Sequence, residues 1–592
     1  MDEDRRREKL WKKGEKIVRM NYAAIERGLR EVREITVPEH WLSAEDEPLD
    51  PDLWPDHPDT MRYVANLQKP ITRQEGDQLP VSAFLPYADG AFPPGTTAHE
   101  RRNTATEIPV WLPQNCIQCN RCSYVCPHAV IRPAVLTEEE KSSAPAGMHT
   151  LPLAGLSGYH FAVTISETDC TSCGSCAGVC PGKKGEQALV MTPIHHKEER
   201  QEYFDYGKAL PQKPEVLEKL RADTVRGSQF RRPLLEFHGA CAGCGETPYA
   251  KLATQLFGER MYIANATGCS SIWAHSSPSA AYAFSPDGKG PAWSNSLFED
   301  GAEFGLGLLL GADAVRSRMR KIAEGLTGLP ADAASAVQEW LKTYANGAEN
   351  AAASKALVRV LECIPPECTA FPQVQELLRH REYLPKKSHW VFGGDGFAYD
   401  IGFGGLDHVL AGGADINILI FDTEVYSNTG GQASKATPRG AEAKFASGGK
   451  VRPKKKLGQM MMTYGDVYVA QVAMGADYNQ TLKAFLEAEA YPGASLIIAY
   501  APCISHGLKA GMGASQHEEK KAVDSGYWPL FRYNPMIKAE GKNPFQLDSK
   551  EPALEYGAFL SGETRFTDVH MEDEGRRRYG ELVRLKALYE PE

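Results

Sequence analysis

The chain has 592 residues, far more than one hydrophobic core can organise, so several domains are expected. Its 42% apolar and 24% charged residues are ordinary for a globular protein, and a net charge of −10 argues against general nucleic-acid binding, which needs an excess of Lys and Arg. No apolar run approaches the roughly 18 residues that span a bilayer, and the start MDEDRRREKLWKKGEKIV is charged where a signal peptide would be apolar. The expected compartment is a reducing cytoplasm, with neither membrane nor nucleic acid among the expected partners.

In chain order, residues 1–35 read as a charged helical remnant of a preceding α/β domain. Residues 36–105 are rich in Pro, Asp and Gly and read as a small irregular or linker domain that wraps its neighbours. The span 106–197 is dense in cysteine and reads as a ferredoxin-type domain. From 198 to 592, apolar strands (HWVFGG, INILIFD, VYVAQVAMG, ASLIIAYAP) alternate with helices, the pattern of a mainly parallel, doubly wound α/β sheet. Helical stretches at 302–325 and 331–344 read as an insertion or lid on that sheet.

Fourteen cysteines are too few for a disulfide scaffold in a chain this long, and they are grouped. CIQCNRCSYVCP places Cys116, Cys119, Cys122 and Cys126 before Pro127; CTSCGSCAGVCP places Cys170, Cys173, Cys176 and Cys180 before Pro181. Each is the C-x2-C-x2-C-x3-C-P run that holds a 4Fe-4S cluster, and in two-cluster ferredoxins the fourth cysteine serves the other cluster. Cys116, Cys119, Cys122 and Cys180 are therefore expected on one cluster, and Cys126, Cys170, Cys173 and Cys176 on the second. Zinc is the alternative, but it takes four ligands as two separated pairs, and four cysteines within one short run fit that poorly. The insertion at 127–169 is expected to be a surface loop.

A different chemistry is written at 389–432. An apolar strand runs into Gly394-Asp395-Gly396, a helix follows, and a second strand ends in Asp422-Thr423-Glu424-Val425. Two such loops meet at the carboxyl edge of neighbouring parallel strands, where α/β sheets bind ligands. Glycines let the backbone approach a diphosphate, and Asp395, the Thr423 hydroxyl and the Val425 carbonyl offer the oxygens that Mg²⁺ prefers. Gly-Asp-Gly alone is a common turn. The whole span of strand, Gly-Asp-Gly, helix, strand and an oxygen-rich loop ending at Asn428 is the thiamine diphosphate signature.

Together with NATGCSSIW, GPAWSNSLFEDGAEFG and DTEVYSNTGGQASKATP, these motifs resemble the C-terminal half of pyruvate:ferredoxin (flavodoxin) oxidoreductase, the single-chain form of the 2-oxoacid:ferredoxin oxidoreductases. The resemblance covers essentially the whole chain. It implies a thiamine diphosphate-binding α/β domain behind a bacterial-type ferredoxin domain with two 4Fe-4S clusters, and oxidative decarboxylation of pyruvate with coenzyme A to acetyl-CoA and CO₂, electrons leaving to ferredoxin or flavodoxin. It also implies a third 4Fe-4S cluster on Cys241, Cys244, Cys269 and Cys503, with Cys363 and Cys368 as bystanders. Glu246 and Cys269 would contact the cofactor, as would Gly394, Asp395, Gly396 and Phe397, and Thr423, Glu424, Val425, Tyr426, Ser427 and Asn428. Asn428 would also face the 2-oxoacid, Asn295 would line the pocket, and Asn21 matches a coenzyme A contact.

In the same family the glutamate that activates the aminopyrimidine ring lies in a separate pyrimidine-binding domain, absent from this sequence. The expectation is half an enzyme, joined by an N-terminal-half subunit and dimeric as a whole assembly. The competing readings are an oxidoreductase for another 2-oxoacid and a non-catalytic iron–sulfur electron-transfer subunit. Among weaker signals, Lys454, Lys455 and Lys456 read as a solvated loop, with docking of an acidic carrier or of coenzyme A phosphates as the functional alternative. GQMMMTYG reads as core, and His238, His275 and His506 read as hydrogen-bonding or packing residues beside the ligand motifs.

Overall fold

The computed structural model describes residues 15–43, 58–194, 198–275, 278–566, 569 and 574–590. They belong to two compact units, Met1–Met61 and Arg62–Glu592. The first unit carries the helix Glu15–Arg30, with Glu15 in its first turn and Arg27 and Arg30 in its last, each sign at the end that the helix dipole favours. A short helix, Glu39–Leu42, follows. Most of the Pro- and Asp-rich run expected to form a linker, 44–57, lies outside the described residues.

In the second unit, the segment up to residue 105 is pinned at several points to later parts of the chain. The Gly95 amide donates to the Tyr282 carbonyl at 2.7 Å, and the Thr97 hydroxyl donates to the Glu236 carbonyl at 2.9 Å. The cysteine-rich region is closed by β1 (Glu107–Trp111), which pairs antiparallel with β5 (Leu189–Pro193). Between them, β2 (Ile131–Leu136), β3 (Leu151–Pro152) and β4 (His160–Ile165) form a sheet in the order β2-β4-β3. The insertion at 127–169 is thus a packed sheet and not the surface loop expected. Its alternating apolar residues account for the difference: Ile131, Leu136, Phe161 and Ile165 are all buried.

The largest sheet has eight strands: β6 (Met261–Ala266), β7 (Ala292–Ser296), β8 (Ser388–Gly393), β9 (Asn417–Asp422), β10 (Tyr468–Val472), β11 (Ser495–Tyr500), β12 (Phe531–Tyr533) and β13 (Phe545–Leu547). Their spatial order is β13-β12-β10-β11-β9-β8-β6-β7. The pairs from β10 to β7 are parallel, and the β10–β12 and β12–β13 pairs are antiparallel, so that β12 alone is reversed. Every residue of β8, β9 and β11 is buried, as expected of strands covered by helices on both faces. Side chains alternate between two cores. Val391, Ile418, Ile420, Leu496 and Ile498 pack on one face, and Trp390, Phe392, Leu419, Phe421 and Ile497 on the other.

Four helices separate β7 from β8: Gly301–Glu324, Ala331–Lys342, Gly347–Leu361 and Phe371–Arg379. The first lies against the sheet so closely that a Cβ at Gly305 would stand 2.5 Å from Val391 Cγ2. The four build a core of their own around Trp340, Leu357, Leu361, Val374 and Leu377, which makes the insertion twice the expected size. Among the described residues no helix is long and apolar enough to cross a membrane.

Because Trp340 fills the centre of that helical core, Trp340→Ala is expected to cost about 3–5 kcal/mol of stability. Urea unfolding followed by far-ultraviolet circular dichroism measures the loss. The iron–sulfur absorption of the folded variant is expected to remain at its wild-type intensity.

Candidate functional site

The two cysteine runs fold alike. Gln118 and Asn120 hold φ of 56° and 59°, and Ser172 and Gly174 hold 56° and 79°. Each run therefore turns left-handed on both sides of its second cysteine, a strained path that curls three thiols around one centre. Cys116, Cys119 and Cys122 line one enclosed space with Cys180 from the other run. Cys126 stands with the complementary set: burial pushes the Cys176 thiol up, and Cys173, Cys126, Cys122 and Cys170 reinforce it. Burial likewise raises Cys122, with Cys119, Cys116 and Cys180 adding to it. Buried neighbouring thiols of this kind ionise at the cost of strong mutual repulsion unless a metal replaces their protons. They surround a volume: among the described residues no three Cys, His, Asp or Glu side chains close on a position that one ion would fill. Backbone amides already point at the sulfurs, from Gln118 to Cys116 Sγ at 3.4 Å and from Ala188 to Cys180 Sγ at 3.2 Å.

The dispersed cysteines also converge. Cys269 opens the short helix Cys269–Ala274 just past β6, and Cys503 follows the end of β11. Burial raises the Cys503 thiol to about 11, with Glu246 and Cys241 reinforcing it; burial also raises Cys269, which feels Glu246, Cys244 and Cys503. The Cys241–Cys244 loop is pressed against the Cys503 loop, where the Gly245 amide donates to the Pro502 carbonyl at 3.2 Å and a Cβ on Gly245 would meet Pro502 N at 2.6 Å. The Gly243 amide in the same loop faces the Cys173 thiol and opposes the rise that burial gives it, which brings this set beside the ferredoxin-type region. Cys363 and Cys368 take no part. They bond the Arg359 and Gly328 carbonyls within the helical insertion.

Between these cysteines, at the ends of β8 and β9, lie the expected diphosphate loops. A Cβ at Gly396 would stand 2.5 Å from Glu299 Oε1 and 2.7 Å from Tyr426 Cε1, so any larger residue there must displace those side chains. Asp395 is buried; its Oδ2 accepts from the Ser434 hydroxyl at 2.5 Å, while Oδ1 is buried with no partner. Burial first and Asp422 second push Asp395 well above the usual carboxylate range. The Thr423 hydroxyl and the Val425 carbonyl are 3.0 Å apart. An orphan carboxylate oxygen, a hydroxyl and a carbonyl are the hard donors that suit Mg²⁺, so these residues fit the ion that would carry a diphosphate.

Several assigned residues act differently from expectation. The Glu424 carboxylate faces away from the loop, to Lys454 Nζ at 3.0 Å, Arg565 Nη2 at 2.8 Å and the Tyr527 hydroxyl at 2.5 Å. Burial alone would raise Glu424, but Lys454 and Arg565 outweigh it and hold the group at about 2. Glu424 can thus offer a cofactor only its backbone, which sits in the left-handed region at φ 59°. Lys454 is neither solvated nor a docking residue. Its ammonium lies inside, 2.7 Å from Asp422, because two buried carboxylates there need a cation. The Phe397 ring belongs to the core. Asn428 is exposed, and the Ser427 hydroxyl lies 3.2 Å from Cys269 Sγ, joining the diphosphate loop to the dispersed cysteines. Asn295 accepts from Asn265 at 3.0 Å and donates to Thr267 at 3.1 Å, beside the Cys269 loop. Asn21 lies on the helix Glu15–Arg30 of the other unit.

Glu246 is buried and held by Trp273 Nε1 at 2.8 Å; burial lifts it to about 7, and the Trp273 bond opposes the rise. Two further residues near the site were given no cofactor role by the sequence, although both lie in or beside its motifs. Glu299, at φ 62°, is raised to about 7 by burial and by Asp400, and packs on Gly396. His506, read as a hydrogen-bonding or packing residue, is buried and its Nε2 donates to the Thr423 carbonyl at 2.6 Å, bracing the diphosphate loop from the Cys503 loop.

Two outcomes are expected. Removing Cys180 or Cys119 as alanine abolishes the same Mössbauer component, whereas Cys126→Ala abolishes the component lost with Cys173→Ala. Lys454→Met strips Asp422 and Glu424 of their shared cation and weakens Mg²⁺–thiamine diphosphate binding by about 10- to 100-fold, measured by calorimetry on the assembled protein.

Comparison with known proteins finds two domain families that bind these classes of cofactor and one of unknown function. Residues 115–184 match the 4Fe-4S dicluster domain, residues 377–499 match the C-terminal TPP binding domain of thiamine pyrophosphate enzymes, and residues 47–105 match EKR, a domain of unknown function. The chain is 50% identical over 589 residues to pyruvate-flavodoxin oxidoreductase of Klebsiella pneumoniae, covering 97% of this chain and 49% of that protein. It is 51% identical over 568 residues to pyruvate:ferredoxin oxidoreductase of Moorella thermoacetica, covering 94% of this chain and 47% of that protein. The chain spans about half the length of the curated relatives it matches. Over that half it is similar throughout to the pyruvate:ferredoxin and pyruvate:flavodoxin oxidoreductases.

Proposed function

We propose that this chain is the cofactor- and cluster-bearing half of a pyruvate:ferredoxin or pyruvate:flavodoxin oxidoreductase, forming acetyl-CoA and CO₂ from pyruvate and coenzyme A in the cytoplasm. The observation that carries the reading is the Ser427–Cys269 contact at 3.2 Å, which joins the diphosphate loop to the dispersed cysteine set. Thiamine diphosphate, when bound, supplies the electron sink for decarboxylation of a 2-oxoacid. Asp395, Thr423 and Val425 would hold its Mg²⁺, the glycines at 394 and 396 would admit the diphosphate, and exposed Asn428 would meet the substrate.

Clusters on the three cysteine sets, when bound, supply one-electron carriage at low potential. The set of Cys241, Cys244, Cys269 and Cys503 adjoins the cofactor loop. Through the Gly243 amide it reaches Cys173 of the next set, and Cys126 of that set lies one short segment from Cys122 of the last. Beside that last set, Ile117 is 50% exposed and offers an acceptor protein an apolar foothold.

The carboxyl edge of the sheet leaves large apolar side chains open to solvent. Leu297 and Phe298 follow β7, Phe445 lies in the loop after β9, and Ile504 follows Cys503, all between 57% and 93% exposed. Such a rim supports a second protein body over the cofactor, and the pyrimidine-binding half of the enzyme is the body we assign to it, in an assembly that is dimeric as a whole.

The purified chain alone is expected to show no pyruvate-dependent reduction of a viologen dye. Adding the complementary half is expected to restore reduction that requires pyruvate and coenzyme A. Steady turnover by the chain alone would refute the division of labour. Activity of the pair with a different 2-oxoacid but not pyruvate would move the substrate assignment.

A further inference from the structure

Helix Thr247–Phe257 is buried along nearly its whole length, and in its middle, among Tyr249, Ala250, Leu252 and Ala253, stands a lysine. Lys251 is 1% exposed. Its Nζ donates to three backbone carbonyls, those of Ser123, Tyr124 (3.1 Å) and Cys126 (3.1 Å). All three belong to the short stretch that links Cys122 to Cys126, at the end of helix Arg121–Val125. Three acceptors need three N–H donors. A neutral amine has two, so this geometry is that of an ammonium ion.

A buried ammonium is expensive unless something negative faces it. Burial and Arg132 oppose its charge, and the groups that favour it are Cys126 and Cys122, which become anionic only when a metal replaces their thiol protons. The nearby guanidinium of Arg132 is already paired with Glu236. Cys122 and Cys126 fall in different sets of four, and four thiolates around a 4Fe-4S core leave each loaded set with net negative charge. The cation is therefore shared by both.

We propose that Lys251 is the buried counter-cation of the paired clusters. Adding an electron makes each cluster more negative, so a fixed positive charge beside the segment joining them stabilises the reduced forms and raises both reduction potentials. The three hydrogen bonds also seat the cluster-binding segment against a helix of the thiamine diphosphate region, which makes Lys251 a positioning residue for electron passage between the two. The inference rests on the reading that the two cysteine sets hold clusters.

The test compares Lys251→Gln, Lys251→Met and Lys251→Arg in the full chain assembled with its complementary half under anaerobic conditions. Iron and sulfide are counted first, and midpoint potentials follow from redox titration monitored by electron paramagnetic resonance. With iron at the wild-type level, Gln and Met are expected to shift both ferredoxin-type clusters to more negative potential. The third cluster should move less, and Arg should restore the potentials toward wild type. Gln keeps amide donors without the charge, so it decides the matter if Met fails to assemble. Wild-type potentials in a fully loaded Gln variant would overturn the proposal. Loss of iron in Gln and Arg alike would overturn it too, leaving Lys251 a strut. Absence of the paired-cluster signals in the wild-type protein would instead refute the cluster reading itself.

Discussion

Parallel strands deliver all their carboxyl ends to one edge, and the candidate site depends on that constraint. The central run β11-β9-β8-β6 is contiguous and hydrogen-bonded, with Tyr500 beside Asp422, Gly393 beside Ile420 and Asn265 beside Phe392. The chain leaves those four strands at nearly one level and drops off Cys503, the Thr423 loop, the Gly394 loop and Cys269 in a row. Sequence separation from 269 to 503 therefore counts for little, because the ladder register sets the spacing. Burial of β8, β9 and β11 on both faces makes that register costly to change, since a slip by one residue would exchange the two cores.

Charge is the second organising term. Asp395, Asp422, Glu424 and Glu563 are all buried near the same edge, and Lys454 and Arg565 are the cations set against them. Breaking a buried pair of this kind costs about 3–5 kcal/mol, because the abandoned charge cannot return to water. The pairing of Glu424 also explains a strained backbone. With its carboxylate anchored inward, the residue can hold its left-handed turn and leave the Val425 carbonyl and Thr423 hydroxyl close together. Asp395 Oδ1 is the acceptor left over, as a cation site requires. On the ferredoxin side the imbalance has the opposite sign: Lys251 is a buried cation beside Cys126 and Cys122, whose thiolates would balance it once a cluster is bound.

Cysteine spacing was the most legible part of the sequence, since a cluster needs three thiols within one tight loop and the spacing of such a loop is written locally. The strands beginning at 388, 417, 468 and 495 were equally plain, because strands buried on both faces read as unbroken apolar runs. Short or half-exposed strands were not. β7 has only Ser296 buried, and β12 and β13 have three residues each. The insertion at 127–169 was misread for a related reason, as its apolar residues are thinly spread and become a sheet only by pairing β2 with β4.

The sequence by itself determined which residues have the chemistry: eight cysteines in two cluster-binding runs, two loops rich in glycine and oxygen, and an Asp positioned for a metal. Local spacing and residue type are enough for that, since they act within a turn or two of chain. Tertiary structure alone decided which way the charged side chains point. Nothing in KKK distinguishes Lys454, buried between two carboxylates, from Lys456, paired near the surface with Glu581. Nothing in TPYAKLA announces that Lys251 spans to another region of the fold. A long side chain takes its partner from whatever the fold brings within a few ångströms, and that partner can lie more than 100 residues away.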